Sequence, residues 1–530
     1  MVDPVGTPLA VLSTVELCIK HGNRLVDKYR AFKRADREIL ELILCVEDHW
    51  IKFEYQIQFL QSVWNSLDER LQLHQHHLLQ HLHFKLQEAN DLLDSTIGPQ
   101  ADKSSIDAVI RKKGGIRAWK YALTLEDCLS RSVKDLKKWH DMFDPSWFLI
   151  TRVSSQTIDN QLRDRPTDDR SSLSTLKGLR EVVKAAQSES VSGNSNSIWL
   201  TSDSLAYKRD EIPFSTAQVA ETQADSQRVL VDTIALHPEA DLNRTTKEVR
   251  DLARILSKSD PLVFGLLQCL GVTKRAGIPG SGQLETFELV FSIPSGLRDP
   301  TSLRTLLLQN EWDYSLNERL VLARSLASSV MYIHSSKFVH KNIRPETTIV
   351  FRRDDSPFAA PFLVGFEKFR PFDGHTFRQG DLCWEKNLYR HPLRQGLQPE
   401  DDYVMQHDIY SLGVMLLEIG LWTSLVQRHD DGLLVPSPVL DIGSVQAERN
   451  QRKKAAMVKR TLIDLASTRL ASRMGNKFMS IALACLTCLD RTDNGFGDED
   501  EFLDEDGIVV GVRYIEKVNN HGNSIHCTLG

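Results

Sequence analysis

From Asn23 to Gly98 glycine and proline are rare, and apolar residues recur at spacings of three and four. Such a stretch offers almost nowhere to break a helix, and it gives each helix one apolar stripe. Ile39, Leu40, Ile43 and Leu44 mark one such stripe, and Phe53, Ile57, Leu60 and Val63 mark the next. Leu67, Leu71, Leu78, Leu82 and Leu86 continue the pattern. These stripes can be buried only against one another, so the first 150 residues are predicted to form an all-α helical bundle. Gly114 and Gly115 interrupt it, a further helix is predicted from Trp119 to Trp139, and DPSWFLI (Asp144 to Ile150) closes it.

The pattern then changes twice. Residues 151–204 are polar, with DRPTDDRSS, one helical run (Leu173 to Ala186) and the serine-rich SESVSGNSNS, and they read as a linker or brace. Beyond it come the β-type runs RVLVDTIAL, LLQCLGVTKR and FELVFSIP, with a helical pattern at Thr246 to Leu256 between the first two. Helical patterns dominate from Asn317 onward. The fold class expected is therefore multidomain, an N-terminal all-α bundle followed by a two-lobed α+β fold. The small lobe takes residues 205–295, the large lobe 296–520, and 521–530 form a tail.

Composition narrows the function. At 530 residues the chain is too long for one core, and its net charge of −6 gives no reason to expect nucleic acid as a partner. Eight scattered cysteines do not make a disulfide framework and fit a reducing compartment. Cys485 and Cys488 form a lone CxxC that reads as buried helix residues, since zinc would lack ligands. His74, His76, His77, His81 and His83 read as a polar bundle face, and RKKAAMVKR (Arg452 to Arg460) as a solvated helix face. DRTDNGFGDEDE (Asp490 to Glu501) fits a calcium-binding loop only loosely and reads as a solvated acidic loop. With no secretory signal and no apolar run of membrane-spanning length, the expected location is cytoplasmic.

The segment ARSLASSVMYIHSSKFVHKNIRPETTIVF (Ala323 to Phe351) resembles the helix, turn and catalytic loop of protein kinases, whose signature is HRDxxxxN. His340 stands at the histidine, Lys341 at the arginine, Asn342 at the aspartate and Thr347 at the asparagine. Arg344 takes the place of the loop lysine, and Pro345 and Glu346 keep the PE step. MQHDIYSLGVMLLEIG resembles the following large helix, with Asp408 and Gly413 in register. By the same resemblance His340, Arg344, Pro345, Asp408 and Gly413 serve the architecture of the loop.

The resemblance also implies that the chemistry is missing. Phosphoryl transfer needs a base and two metal-holding side chains. Asn342 has no useful basicity, and losing a general base costs ~10²–10⁴ in rate. Gly365 replaces the aspartate of DFG in PFLVGFEKFR, and Thr347 replaces the asparagine that holds the other magnesium. No glycine lies between Gly193 and Gly265, so no glycine-rich phosphate loop is present. RVLVDTIAL resembles the lysine-bearing third strand but places Ile234 or a nearby apolar residue at the lysine, and Glu248 has no lysine to pair with. No catalytic residue, metal or ATP cofactor is expected, which makes this half a pseudokinase. The alternatives are an active kinase whose ligands have migrated to Glu367 or Asp354, and a purely structural adaptor.

The opening DPVGTPLAVLSTVELCIKHGNRLVDKYRAFKRADREILELI resembles the HeLo-type (prion-inhibition and propagation) domain of fungal incompatibility and cell-death proteins. The overall layout resembles that of mixed-lineage kinase-like pseudokinases. The likeness implies that the pseudokinase restrains the bundle until a protein partner releases it. Residues 1–150 would then self-associate and engage a membrane surface. Pro8 to Ile19 is apolar but too short to span a bilayer, so it is expected either to insert at the interface or to serve as a core helix.

Overall fold

The computed structural model describes residues 8–30, 37–67, 69–97, 130–132, 136, 198–235, 241–275, 285–309, 314–336, 338–353, 360–366, 369–371, 383–396, 403–429, 433–442 and 448–490. The chain divides into two units, Met1–Arg180 and Glu181–Gly530. Among the described residues no helix is long and apolar enough to cross a membrane.

The first unit contains α1 (Pro8–Arg30), α2 (Arg37–Val63) and α3 (Glu69–Ile97). On α2 the core stripe is Ile43, Val46, Trp50, Phe53, Ile57 and Leu60. Leu44, expected inside, is 55% exposed because it lies one step of about 100° off that stripe. Val11, Val15 and Cys18 of α1 are buried with Tyr29, so the apolar start of the chain is a core helix of this unit. Ion pairs fasten the helices at their rims: Arg24 and Lys28 reach Asp94 at 2.9 and 2.6 Å, and Arg30 reaches Glu47 at 2.7 Å. The histidines do not form one polar face. His77 and His81 are exposed, but His76 and its neighbour Gln75 are buried, and His83 packs edge-on against His21 at 5.1 Å. Among the described residues no group of three or more metal-ligating side chains exists. DPSWFLI lies outside the described residues.

The second unit opens with an antiparallel sheet of β1 (Leu205–Glu211), β2 (Gln218–Thr222), β3 (Arg228–Ala235), β4 (Cys269–Arg275) and β5 (Thr286–Ser292), in the order β1-β2-β3-β5-β4. The three β-type runs of the sequence become β3, β4 and β5. Between β3 and β4 lies α4 (Leu242–Leu256), which starts at the Asp241 cap and buries Val249, Leu252, Ala253, Ile255 and Leu256. On β3 alternate residues face opposite sides. Val229 and Val231 enter one apolar cluster with Leu205, Ala220 and Val290, so Leu230, Asp232 and Ile234 face the other side.

A second layer follows. β6 (Leu297–Ser302) leads into α5 (Leu303–Gln309), and α6 (Leu316–Ser335) begins at a capping box of Ser315 and Glu318. The short strand β7 (Phe338–Val339) precedes a loop that enters β8 (Thr348–Arg353), which pairs with β6 and with β9 (Ala360–Leu363). The core of this layer is α7 (Met405–Leu421), buried along almost its whole length against α8 (Gln451–Leu486).

Two glycines of α7 explain that close packing. A Cβ on Gly413 would lie 2.9 Å from Cβ of Cys485, and one on Gly420 would lie 2.6 Å from Cδ2 of Leu470. α8 itself breaks at Gly475, whose φ of 83° and ψ of 163° divide it into helices 451–474 and 476–486. The chain doubles back there, so that Asp490 Oδ1 meets Lys459 Nζ at 2.5 Å. Cys485 and Cys488 are buried in this hairpin, and burial pushes the Cys485 thiol up to about 12, which makes it an inert core residue. Gly413→Val should lower the unfolding free energy of this unit by about 1–3 kcal/mol through overpacking, read from a denaturant titration. An unchanged midpoint would mean that α7 and α8 do not meet at Gly413.

Candidate functional site

The loop after β7 is built around one carboxylate. Asp408, on the first turn of α7 and wholly buried, accepts the backbone N–H of His340 at 2.7 Å and of Lys341 at 2.9 Å. His334 Nε2 lies 3.0 Å from it, and the Tyr403 hydroxyl donates to it at 2.6 Å. Two consecutive N–H groups aimed at one carboxylate bend the backbone there, and Lys341 sits at φ 67°. Burial alone would push the Asp408 carboxyl up. The hydrogen bond and charge of His334, with His340 and Tyr403, overcome it and hold the pKa at about 2.

His340 next receives a fixed tautomer. Its Nε2 lies 3.1 Å from the Val364 carbonyl, which can only accept, so Nε2 carries the proton. Nδ1 then accepts the N–H of Asn342 at 3.3 Å. Burial pushes the imidazole down to about 4, keeping it neutral, and its ring packs 4.8 Å from that of Phe366.

The side chains standing at the expected base and metal positions are engaged with one another. Asn342 Nδ2 donates to the Gly365 carbonyl at 3.1 Å, and its Oδ1 accepts from Arg344 Nε at 2.9 Å. Thr347 Oγ1 donates to the carbonyl of Asn342 at 2.7 Å and accepts the Arg344 N–H at 3.2 Å. Arg344 also meets Glu346 at 3.3 Å, directly after Pro345 opens a short 3₁₀ turn. Gly365 adopts φ 85°, and a Cβ there would lie 2.3 Å from the Thr347 methyl. An aspartate therefore fits Gly365 neither conformationally nor sterically.

Sequence reasoning missed the residue that closes this arrangement. Asp232 of β3, 0% exposed, accepts the N–H groups of both Gly365 and Phe366 on Oδ2 at 2.9 Å each. The β3 side chain that reaches the Gly365 segment is thus Asp232, which corrects the expectation of Ile234 or an apolar neighbour. The signal was present as a lone acid inside an apolar strand. Glu248 pairs with Arg244 one turn back on α4, at 2.9 Å.

The β1–β2 turn is fastened as well. Ser302 Oγ donates to the Pro213 carbonyl at 2.6 Å and Thr305 Oγ1 at 3.3 Å, tying the glycine-free turn to the start of α5. Behind the loop, the fully buried Arg304 of α5 reaches Glu346 at 2.9 Å and Glu418 at 3.0 Å, with Tyr389 bridging to Glu418 at 2.7 Å. Tyr389 opens YRHPL, so that segment is anchored through a tyrosine hydroxyl. Glu367 and Asp354, the alternative metal ligands, lie outside the described residues.

No protein-family model matches the chain. A stretch of 111 residues, 21% of the chain, is 27% identical to a probable serine/threonine-protein kinase of Dictyostelium discoideum. The chain spans 20% of that protein's length. The similarity supports a kinase-like domain in this chain.

Two outcomes are expected. Asp232→Ala, which leaves two buried N–H groups without their acceptor, should cost about 2–4 kcal/mol, while Asp232→Asn, keeping an acceptor oxygen, should cost less. Equal losses in denaturant titrations would contradict the hydrogen-bonding role. Acid should destabilise this unit in two stages. His340, at about 4 against an ordinary 6.5, and His391, which burial lowers to about 3, resist protonation when folded. Their contribution is complete above pH 6.5 and is lost as pH falls. Asp408, at about 2 against 3.8, adds stability that is present above pH 3.8 and is lost toward pH 2. His340→Gln should reduce the slope of stability between pH 6.5 and 4 by up to about 1.4 kcal/mol per pH unit. An unchanged slope would place the protonation elsewhere.

Proposed function

We propose that residues 205–520 form a pseudokinase, a domain of kinase architecture that does not transfer phosphate. The observation that carries this proposal is the pairing of Gly365 with Thr347 under Asp232. The Thr347 methyl fills the space that a side chain at Gly365 would need, and an acid occupies the strand position that would otherwise offer lysine to the phosphates. The neighbouring Asn342 spends both ends of its amide on Gly365 and Arg344. A ligand carrying phosphates would meet a carboxylate where it needs a cation, and magnesium would find an amide, a methyl group and a glycine.

The domain then acts by binding. In this proposal it is a cytoplasmic signalling module that restrains the N-terminal bundle until a protein partner releases it. The bundle, whose sequence pattern is HeLo-like, then self-associates and is recruited to a membrane surface. Support for that second part comes from the sequence resemblance; the burial of Val11, Val15 and Cys18 in α1 fits the alternative of a core helix without membrane action. Leakage of liposomes by residues 1–150 at micromolar protein tests it, and an inert bundle would favour an adaptor without a membrane-active state.

Thermal shift of the full chain with ATP, with and without magnesium, tests the first part together with phosphate transfer to a generic substrate. No magnesium-dependent shift and no turnover are expected. A clear shift with turnover abolished by Glu367→Gln would sink the pseudokinase and establish a kinase with relocated metal ligands.

A further inference from the structure

The start of α8 carries charge in a place that helix energetics disfavour. From Arg449 to Ile463 the chain holds six Lys and Arg residues and no acid. Arg452, Lys453 and Lys454 fall in the first turn, which contains no acidic residue and whose N-terminus is capped by Asn450. The positive pole of the helix dipole disfavours each cation there. Arg452, Lys453 and Arg460 are exposed, and no carboxylate among the described residues pairs with Lys453, Lys454 or Arg460.

Two further facts point to a counter-anion for Lys453, Lys454 and Arg460. The break at Gly475 returns the chain so that Asp490 pairs with Lys459, six residues (about 9 Å of helix) from Lys453. Lys459 is itself buried and also contacts His391 Nε2 at 3.2 Å, so the return is anchored. Eight residues beyond Asp490 begins DEDEFLDED (Asp498 to Asp506), in which seven of nine residues are acidic. Eight residues can reach as far as about 27 Å, three times the distance required. The chain's net charge is −6, so this one segment accounts for all of its negative excess.

We propose that the acidic segment Asp498–Asp506 docks on the first turns of α8, its carboxylates neutralising Lys453, Lys454 and Arg460. The tether from Asp490 makes the contact intramolecular, with an effective concentration in the millimolar range. The interaction is electrostatic and exposed, so salt weakens it. The chain thereby covers its own basic surface, which would otherwise attract anionic lipid or acidic protein.

Zero-length carbodiimide cross-linking of the full chain, read by peptide mass spectrometry, tests this. The Lys459–Asp490 pair, 2.5 Å apart, serves as the internal control. At low salt Lys453 and Lys454 should link within one molecule to carboxylates of Asp498–Asp506. The yield should fall at least about fivefold at 0.5 M salt. Links from these lysines only to a second, isotope-labelled chain, or to other carboxylates, or no links while the control forms, would overturn the proposal. Binding to vesicles containing phosphatidylserine supplies a second readout. A full chain whose seven acids are changed to amides should bind at least about fivefold more tightly than the unaltered chain. Equal binding would show the basic surface to be open and would also overturn it.

Discussion

One carboxylate oxygen, Oδ2 of Asp232, takes the N–H groups of Gly365 and Phe366 and joins the five-stranded sheet to the loop that follows β9. Two hydrogen bonds from backbone donors to an acid are strong inside a protein, and each is costly to leave unmade. They fix Gly365 in its left-handed conformation, which brings its carbonyl to Asn342 and its α-carbon against the Thr347 methyl. Phe366 is held between Phe291 of the sheet and the His340 ring. Removing the acid would free the sheet, the glycine and the phenylalanine together, so the closed arrangement stands or falls with it.

Beneath this latch lies a scaffold of buried charge. Asp408 satisfies four donors, and Arg304 satisfies two carboxylates and a tyrosine. Buried ion pairs seldom add net stability over apolar packing, but breaking one leaves an uncompensated charge. Such networks accept few alternative geometries. They fix where β7, the loop and α7 meet, whatever the loop itself does chemically.

Much of this was legible in the sequence. His340, Asn342, Thr347, Gly365 and Asp408 come from three short segments whose internal spacing is local, and the structure brings them to one place. Asp232 was not legible in its role, because a strand's register against a distant loop depends on tertiary packing and the eye passes to Ile234 two residues on. Arg304 could not be connected to Glu346 and Glu418, up to 114 residues away, by any periodic pattern. The histidines misled for a related reason. They crowd ten residues of α3, yet which of them is buried depends on the neighbouring helices. Leu44 shows the same limit on a smaller scale, since the unbroken apolar run from Leu42 to Val46 cannot state which of its residues face inward. The return of Asp490 to Lys459 depends on one glycine's conformation, and a lone glycine within a helical pattern does not announce a hairpin.

Amide hydrogen exchange at Gly365 and Phe366, followed in the full chain with and without millimolar Mg-ATP, measures the latch where it acts. Slow exchange at both amides, unchanged by nucleotide and accelerated only when Asp232 is replaced, is the expected result. Fast exchange in the unaltered chain, or protection that shifts on adding Mg-ATP, would mean that the site opens to nucleotide and would contradict the proposed closed, non-catalytic centre.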